Sequence, residues 1–518
     1  MEQWMPAQVL GRLRRLPRSQ WYAFFGVWVA GLFAHGYMLA NKLPNHDDIH
    51  SMFGKGAIYE SGRWGLPVIG KLDGSFSSSW MLGLFTLFLL AVTAMLMVDI
   101  MRIRSPLFGA LAGGALAVFP TLTSLFGYMF TSDAYAVSVL FTVLAAWLCC
   151  RQNRGWLLLA AACLVASLSI YQAFFGFAAA LLVYRLYADC IREEADAKTL
   201  FLTGVWQAGA LAAGMAAYLF INQRVLAWQE ASMTGYMQLD QMGQIHPSLI
   251  PGQLIEAYRM FFLCWQGTVR GMAVNTQLQT LLKGCVLLLT LLVVWGILRQ
   301  FLRGKPWEGA LALLLAGMFP VAVNLICLMN PARIHSLMVY PMCMLPISLA
   351  ARCDAWCAEP PLAGRRALVR VAGSWAVVAC VALLVLRYGM LDNKVYLQLQ
   401  LNHTQRLSYW TSVVTQIKST PGYTPETPVA LIDDENWDPT VPHFWQFDEL
   451  ESLTGTSAGM SVFSNEDFLP RYLGFSPTFV HEADLTEAQN TALQQMPHYP
   501  AEGSIQIVDG VVLVRFCG

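Results

Sequence analysis

Arg12-Leu-Arg-Arg-Leu-Pro-Arg18, followed by an apolar run over 21–40, sets both the class of fold and its orientation. About 20 apolar residues wound into one helix cross the ~30 Å hydrocarbon layer of a bilayer. The arginines ahead of the run hold that end in the cytoplasm. No small-residue cleavage site follows where a secretory signal needs one, so the segment reads as an uncleaved signal anchor. The rest of the chain agrees: 56% of its 518 residues are hydrophobic and 13% charged, against about 25% charged in soluble domains. Mean hydropathy is +0.47, and too little polar surface remains to cover a water-soluble fold.

Further apolar runs cover 79–100, 106–126, 132–150, 155–170, 173–189, 199–221, 282–302, 308–329, 336–351 and 371–390, about eleven spans in all. The pair 155–170 and 173–189 is short for full crossings and breaks at Tyr171–Gln172. One long bent helix over 155–189 is the alternative, and it would invert everything downstream. With eleven spans, the basic clusters around Arg102, Arg151, Arg185, Arg299, Arg352 and Arg365 all fall beside the N-terminus, on the cytoplasmic side. Loops 41–78 and 222–281, the turn 330–335 and everything after residue 390 then lie outside. The fold expected is an all-α polytopic membrane protein, with a basic N-terminus (1–20), a membrane domain (21–390) and a small α/β domain (391–518).

In that last domain, 396–418 has helical apolar spacing, Val429–Ile432 reads as a strand, and 505–508 with 511–516 flank Asp509–Gly510 as a hairpin. The stretch 248–265 reads as a helix lying in the interface, where Tyr236 or Trp265 would anchor it or stack on a sugar. Most cysteines fall in apolar runs and read as packing residues, and Cys353 with Cys357 lacks the partners a metal site needs. Zero formal net charge argues against a nucleic-acid partner and leaves the lipid bilayer as the evident one.

Chemistry concentrates in the first outer loop: Lys42, His46, Asp47, Asp48, His50 and Lys55, then Gly62-Arg-Trp-Gly65. A carboxylate at the membrane boundary is placed to take a proton from an incoming hydroxyl, and a cation to hold a phosphate. Asp47 or Asp48 would equally cap a short helix starting near Ile49, and Arg63–Trp64 would equally anchor at the interface. Arg333 and His335 in the turn 330–335, and Tyr171–Gln172 at the helix break, are further candidates for lining a cleft. Asp133, after Ser132, reads as a helix N-cap.

Asn45-His-Asp-Asp48 with Gly62-Arg-Trp64, the order of spans and the Tyr171–Gln172 pair resemble the O-antigen serotype-conversion glucosyltransferases, over most of residues 20–390. That resemblance implies a GT-C-type membrane glycosyltransferase of the bacterial inner membrane. Such an enzyme moves a hexose, here glucose, from an undecaprenyl-phosphate-linked donor to a glycan acceptor such as O-antigen of lipopolysaccharide, on the periplasmic face. It implies Asp47 and Asp48 at the catalytic position, and Arg63 and Arg333 as donor-phosphate ligands. Lys42, His46, His50, Lys55, Trp64, Tyr171, Gln172 and His335 complete the substrate-binding set. Inverting displacement needs no cofactor; a divalent metal beside the aspartates is compatible with it but not required. No glycine-rich nucleotide motif follows a strand, consistent with a lipid-linked donor. An O-antigen polymerase or ligase would lean on Arg-rich outer loops instead. A lipid-linked sugar transporter or flippase would carry ionisable residues in mid-span or repeated halves.

Overall fold

The computed structural model describes residues 11, 14–56, 58–151, 155–235, 247–263, 276–329, 334–360, 364–432, 445–450, 453 and 462–516. Helix α1 (Arg18–Ala40) leads into a loop with two short helices, α2 (His46–His50) and α3 (Leu66–Asp73). Then come α4 (Ser79–Met101), α5 (Pro106–Ala117), α6 (Pro120–Gly127), α7 (Met129–Cys149), α8 (Gly155–Leu168), α9 (Phe175–Ile191) and α10 (Ala197–Trp228). The membrane part continues with α11 (Ile250–Phe262), α12 (Thr276–Leu302), α13 (Pro306–Val323), α14 (Ile326–Met329), α15 (Met344–Cys357) and α16 (Arg365–Ser419). Among the described residues, eight helices are long and apolar enough to cross a membrane, or up to nine if the α5–α6 pair is one span. Phe25, Val29 and Phe33 on α1, Phe201 and Trp206 on α10, and Leu287, Leu291 and Trp295 on α12 are exposed, an apolar belt suited to lipid.

Three of the expected spans take a different form. The run 106–126 is bent by 40° because Pro120, which has no N–H to give, holds Phe119 extended. The run 155–170 folds as the 14-residue α8, separated from α9 by the break at Tyr171 and a 3-10 turn over Gln172–Phe174. The run 336–351 begins as two 3-10 turns around Pro341, and α15 starts only at Met344. All of α15 from Met344 to Asp354 is buried, so its apolar character serves the bundle interior. The segment 248–265, expected to lie in the interface, folds as a helix over Ile250–Phe262, while Tyr236 and Trp265 lie outside the described residues.

The last predicted span and the predicted amphipathic helix 396–418 are one continuous helix, with no break near residue 390. At 55 residues α16 is about 80 Å long, far more than a bilayer needs. Its distal turns carry Trp410, Val413, Val414 and Ile417 into the core of the C-terminal domain. That domain contains β1 (Val429–Ile432), α17 (Val462–Leu473), α18 (Glu487–Gln495), β2 (Ile505–Val508) and β3 (Val511–Arg515). The sheet order is β1-β3-β2, with β1 parallel and β2 antiparallel to β3. Asp509 and Gly510 both have positive φ, as a two-residue type I′ hairpin requires.

Candidate active site

The loop between α1 and α4 is held by buried polar bonds, and these separate its two aspartates. Asn45 is the cap of α2: its side chain accepts from the Asp48 N–H at 2.8 Å, so neither aspartate has that role. Asp48 points inward and is fully buried. It pairs with Lys42, accepts from Ser77 Oγ at 2.5 Å, and accepts the Phe130 N–H at 3.1 Å. Phe130 lies in the first turn of α7, where backbone N–H groups are free and negative charge is favoured. Asp47 points the other way, its side chain 40% exposed and 3.5 Å from His46 Nε2. The pair therefore divides into an anchored carboxylate and an accessible one.

Lys55 is buried as well, and its charge is committed inside the protein. It pairs with Asp73, lies 3.5 Å from Asp133, and donates to the Phe130 carbonyl at 2.7 Å. Burial pushes the Asp73 carboxyl up, but hydrogen bonds with Asp133 and Lys55 outweigh it and hold the group below the ordinary value. Asp133 is the fifth residue of α7 and the cap position falls to Tyr128, so the N-cap expectation for Asp133 does not hold. A carboxylate in an apolar run needs a partner, and that rule would have pointed from Asp133 towards a loop cation.

Arg63 has the opposite surroundings. Its guanidinium donates to Tyr135 Oη at 3.3 Å and lies 5.1 Å from the centre of the Tyr171 ring, while its Nε has no partner among the described residues. Trp64 Nε1, Tyr171 Oη and His335 Nδ1 are likewise buried and unpartnered among the described residues. Burial, then the Arg63 charge, pushes His335 down to about 4, so the ring is neutral at pH 7. A cation beside buried polar groups with no protein partner fits an anion, which would satisfy several of them together.

Tight local packing holds this stretch in place. Gln172 Nε2 donates to the carbonyls of Ser61 (3.1 Å) and Gly62 (3.2 Å) and to Tyr218 Oη (2.7 Å). Gly62 has φ +67°, and a Cβ there would lie 2.6 Å from Tyr218 Oη. At Gly65 a Cβ would lie 2.3 Å from Ser169 Oγ. Gln172 thus binds the loop, and Tyr171 lies under Arg63. Phe130 serves Asp48 and Lys55, and Tyr135 serves Arg63; five residues of helix rise put these two places about 7.5 Å apart along α7. Arg333 lies outside the described residues.

The C-terminal domain grips the other end of α2. Arg471 of α17 donates to the carbonyls of Ile49 and His50, the latter at 3.1 Å, and pairs with Asp467 at 2.6 Å. Asp467 also meets His50 Nδ1 at 2.6 Å, and Ile49 is buried in the core of that domain. A five-residue helix is too short to persist alone, so these partners define its position.

A family model described as glucosyl transferase GtrII matches residues 36–346, more than half of the chain. The chain belongs to the glucosyl transferase GtrII family. It is accordingly a glycosyltransferase with a sugar donor and an acceptor. No curated protein and no solved structure matches it. The matched range holds all the loop and turn residues described above and ends within α15, so the gripping helix α17 lies beyond it. Among the described residues no three His, Cys, Asp or Glu side chains converge as metal ligands. Of the residues read from the sequence, Arg63, Trp64, Tyr171 and His335 carry buried polar atoms with no partner among the described residues, whereas Lys42, Lys55, Gln172 and His50 are bound within the protein. Ser77, Asp73, Tyr135, Tyr218, Asp467 and Arg471 carried no motif and emerge only from the packing.

Proposed function

We infer that this glucosyltransferase takes glucose from an undecaprenyl-phosphate carrier and gives it to a glycan acceptor such as O-antigen, on the periplasmic face of the inner membrane. The observation that carries the reading is that Arg63, Trp64, Tyr171 and His335 hold buried polar atoms unpartnered among the described residues, which suits the donor phosphate. Asp47, the exposed carboxylate of the loop, takes the proton of the acceptor hydroxyl. The acceptor oxygen bonds to the anomeric carbon as the bond from that carbon to the phosphate oxygen breaks. Arg63 offsets the negative charge that grows on the departing phosphate. A single displacement inverts the anomeric configuration. Asp48 acts through position, anchoring α2 to the start of α7. Arg333, in the turn that also bears His335, is a candidate second cation by sequence position.

The charge pattern supports a cytoplasmic N-terminus, about eleven crossings and a periplasmic C-terminal domain. The test is transfer in proteoliposomes loaded with undecaprenyl-phosphate-linked glucose and supplied with O-antigen. Asp47→Asn should lower kcat by 100-fold or more, within the ~10²–10⁴ range of a general base. Transfer at the wild-type rate would remove Asp47 from the mechanism, and no transfer by the wild-type protein would end the donor assignment.

A further inference from the structure

The seam between α16 and α17 holds a second group of polar atoms that the reaction outlined above does not use. Gln398, Asn402 and Arg406 recur at i, i+4 and i+8 on α16, which puts them on one helix face. His403 is beside them, its ring 5.2 Å from Tyr472 and 6.2 Å from Phe468 of α17. Among the described residues, Gln398 Oε1, Asn402 Nδ2, His403 Nδ1 and Tyr472 Oη are shielded from water and have no hydrogen-bond partner. Their residues nonetheless keep part of their surface exposed, so the seam lies at the protein surface. Phe468 and Tyr472 stack with ring centres 4.9 Å apart and form an aromatic wall.

This seam adjoins the aspartate helix. Burial, and next the charge of Asp48, hold the Tyr472 hydroxyl above its ordinary range, so it remains protonated and able to donate. The same α17 that carries Tyr472 binds the Ile49 and His50 carbonyls through Arg471. A ligand in the seam would therefore approach α2 from the domain side, whereas Arg63 reaches α7 through the membrane-domain side of the loop.

The chemistry of the unpartnered atoms selects the ligand class. Gln398 Oε1 only accepts, Asn402 Nδ2 only donates, and the imidazole and phenol do one or both. An anion would suit Arg406 and satisfy the donors, but it would leave Gln398 Oε1 facing like charge. An apolar group would satisfy none of them. Sugar hydroxyls donate and accept, and the apolar face of a pyranose ring suits an aromatic wall. The geometry points to this seam as the binding site for a sugar residue of the acceptor glycan, which would lead the acceptor hydroxyl towards Asp47. The inference deepens the glycosyltransfer reading and rests on it for the identity of the acceptor.

The experiment titrates purified O-antigen polysaccharide of the host strain into full-length protein in nanodiscs, with inorganic phosphate as the comparison probe. The variants are Asn402→Ala and Tyr472→Phe, the second removing a single hydroxyl. Loss of one hydrogen bond should weaken polysaccharide binding and raise acceptor KM by roughly three- to tenfold, with donor KM unchanged. Unchanged polysaccharide affinity in both variants overturns the seam site, as does phosphate binding there in place of the glycan. Normal transfer with unaltered acceptor KM in the variants sinks this inference and leaves the reaction intact. Polysaccharide binding that both variants weaken, without any transfer from the lipid-linked donor, does the reverse.

Discussion

Replacing Lys42 by methionine removes the cation that the described residues place on the buried Asp48 carboxylate. The Asp48 side chain is 1% exposed and that of Lys42 26%, so the carboxylate cannot turn to water when its partner is lost. Breaking a buried ion pair from one side costs about 3–5 kcal/mol. Ser77 and the Phe130 N–H remain on Asp48, which places the expected loss at the low end, about 3 kcal/mol. Spent on opening α2, that corresponds to roughly a hundredfold faster amide exchange over residues 46–50. Asp48→Asn alone should cost less, because Lys42 is partly solvated and an amide oxygen still accepts from Ser77 and Phe130. The double variant Lys42→Met/Asp48→Asn should recover most of the protection lost in Lys42→Met. Hydrogen exchange followed by mass spectrometry on protein in nanodiscs measures all three. Wild-type exchange rates in Lys42→Met, or no recovery in the double variant, would show that this pair does not hold the loop.

Other perturbations probe the remaining links. Arg63→Ala should raise donor KM by tenfold or more, and Arg63→Lys should restore little because it loses the planar guanidinium over Tyr171; full rescue by lysine counts against a shaped phosphate site. His335 is held near 4 in the fold against 6.5 unfolded, so the unfolded chain binds the extra proton. Its contribution is complete above pH 6.5 and is lost as pH falls towards 4. His335→Gln should flatten the dependence of thermal stability on pH in that window, and an unchanged slope would refute the burial argument. Ile49→Ala removes a fully buried side chain from the domain core and should cost about 2–5 kcal/mol locally. Faster amide exchange in α17 as well as α2 is the expected sign; a change confined to α2 would mean that the two do not open together.

The elements read directly from local pattern are those in which one short-range rule dominates. The hairpin over 505–516 follows from alternating apolar residues around Asp509–Gly510, and the span 79–100 from length and apolarity alone. Continuity was not legible in the same way. The apolar run 371–390 and the amphipathic run 396–418 have different surface chemistry, yet their backbone forms one helix because no Pro or Gly intervenes after Gly389 until Pro421. Conversely, 336–351 has the composition of a span, but Pro341 and Pro346 and a fully buried environment make it turns and a short interior helix. Asp133 and Asp392 are buried in long helices, and their partners, Lys55 and Thr123, come from elsewhere in the chain.

The sequence by itself determined that the chain enters a membrane, where its chemistry-bearing loop lies and which residue types that loop presents. Those properties depend on composition and spacing along the chain. Only the tertiary structure decided which aspartate is buried and which is accessible, that Lys55 is neutralised while the Arg63 Nε has no partner among the described residues, and that α17 holds α2 from more than 400 residues away. Side chains adjacent in sequence meet opposite environments once the loop packs against α7. Burial and hydrogen-bond partners, set by residues distant along the chain, then fix what each charge can do.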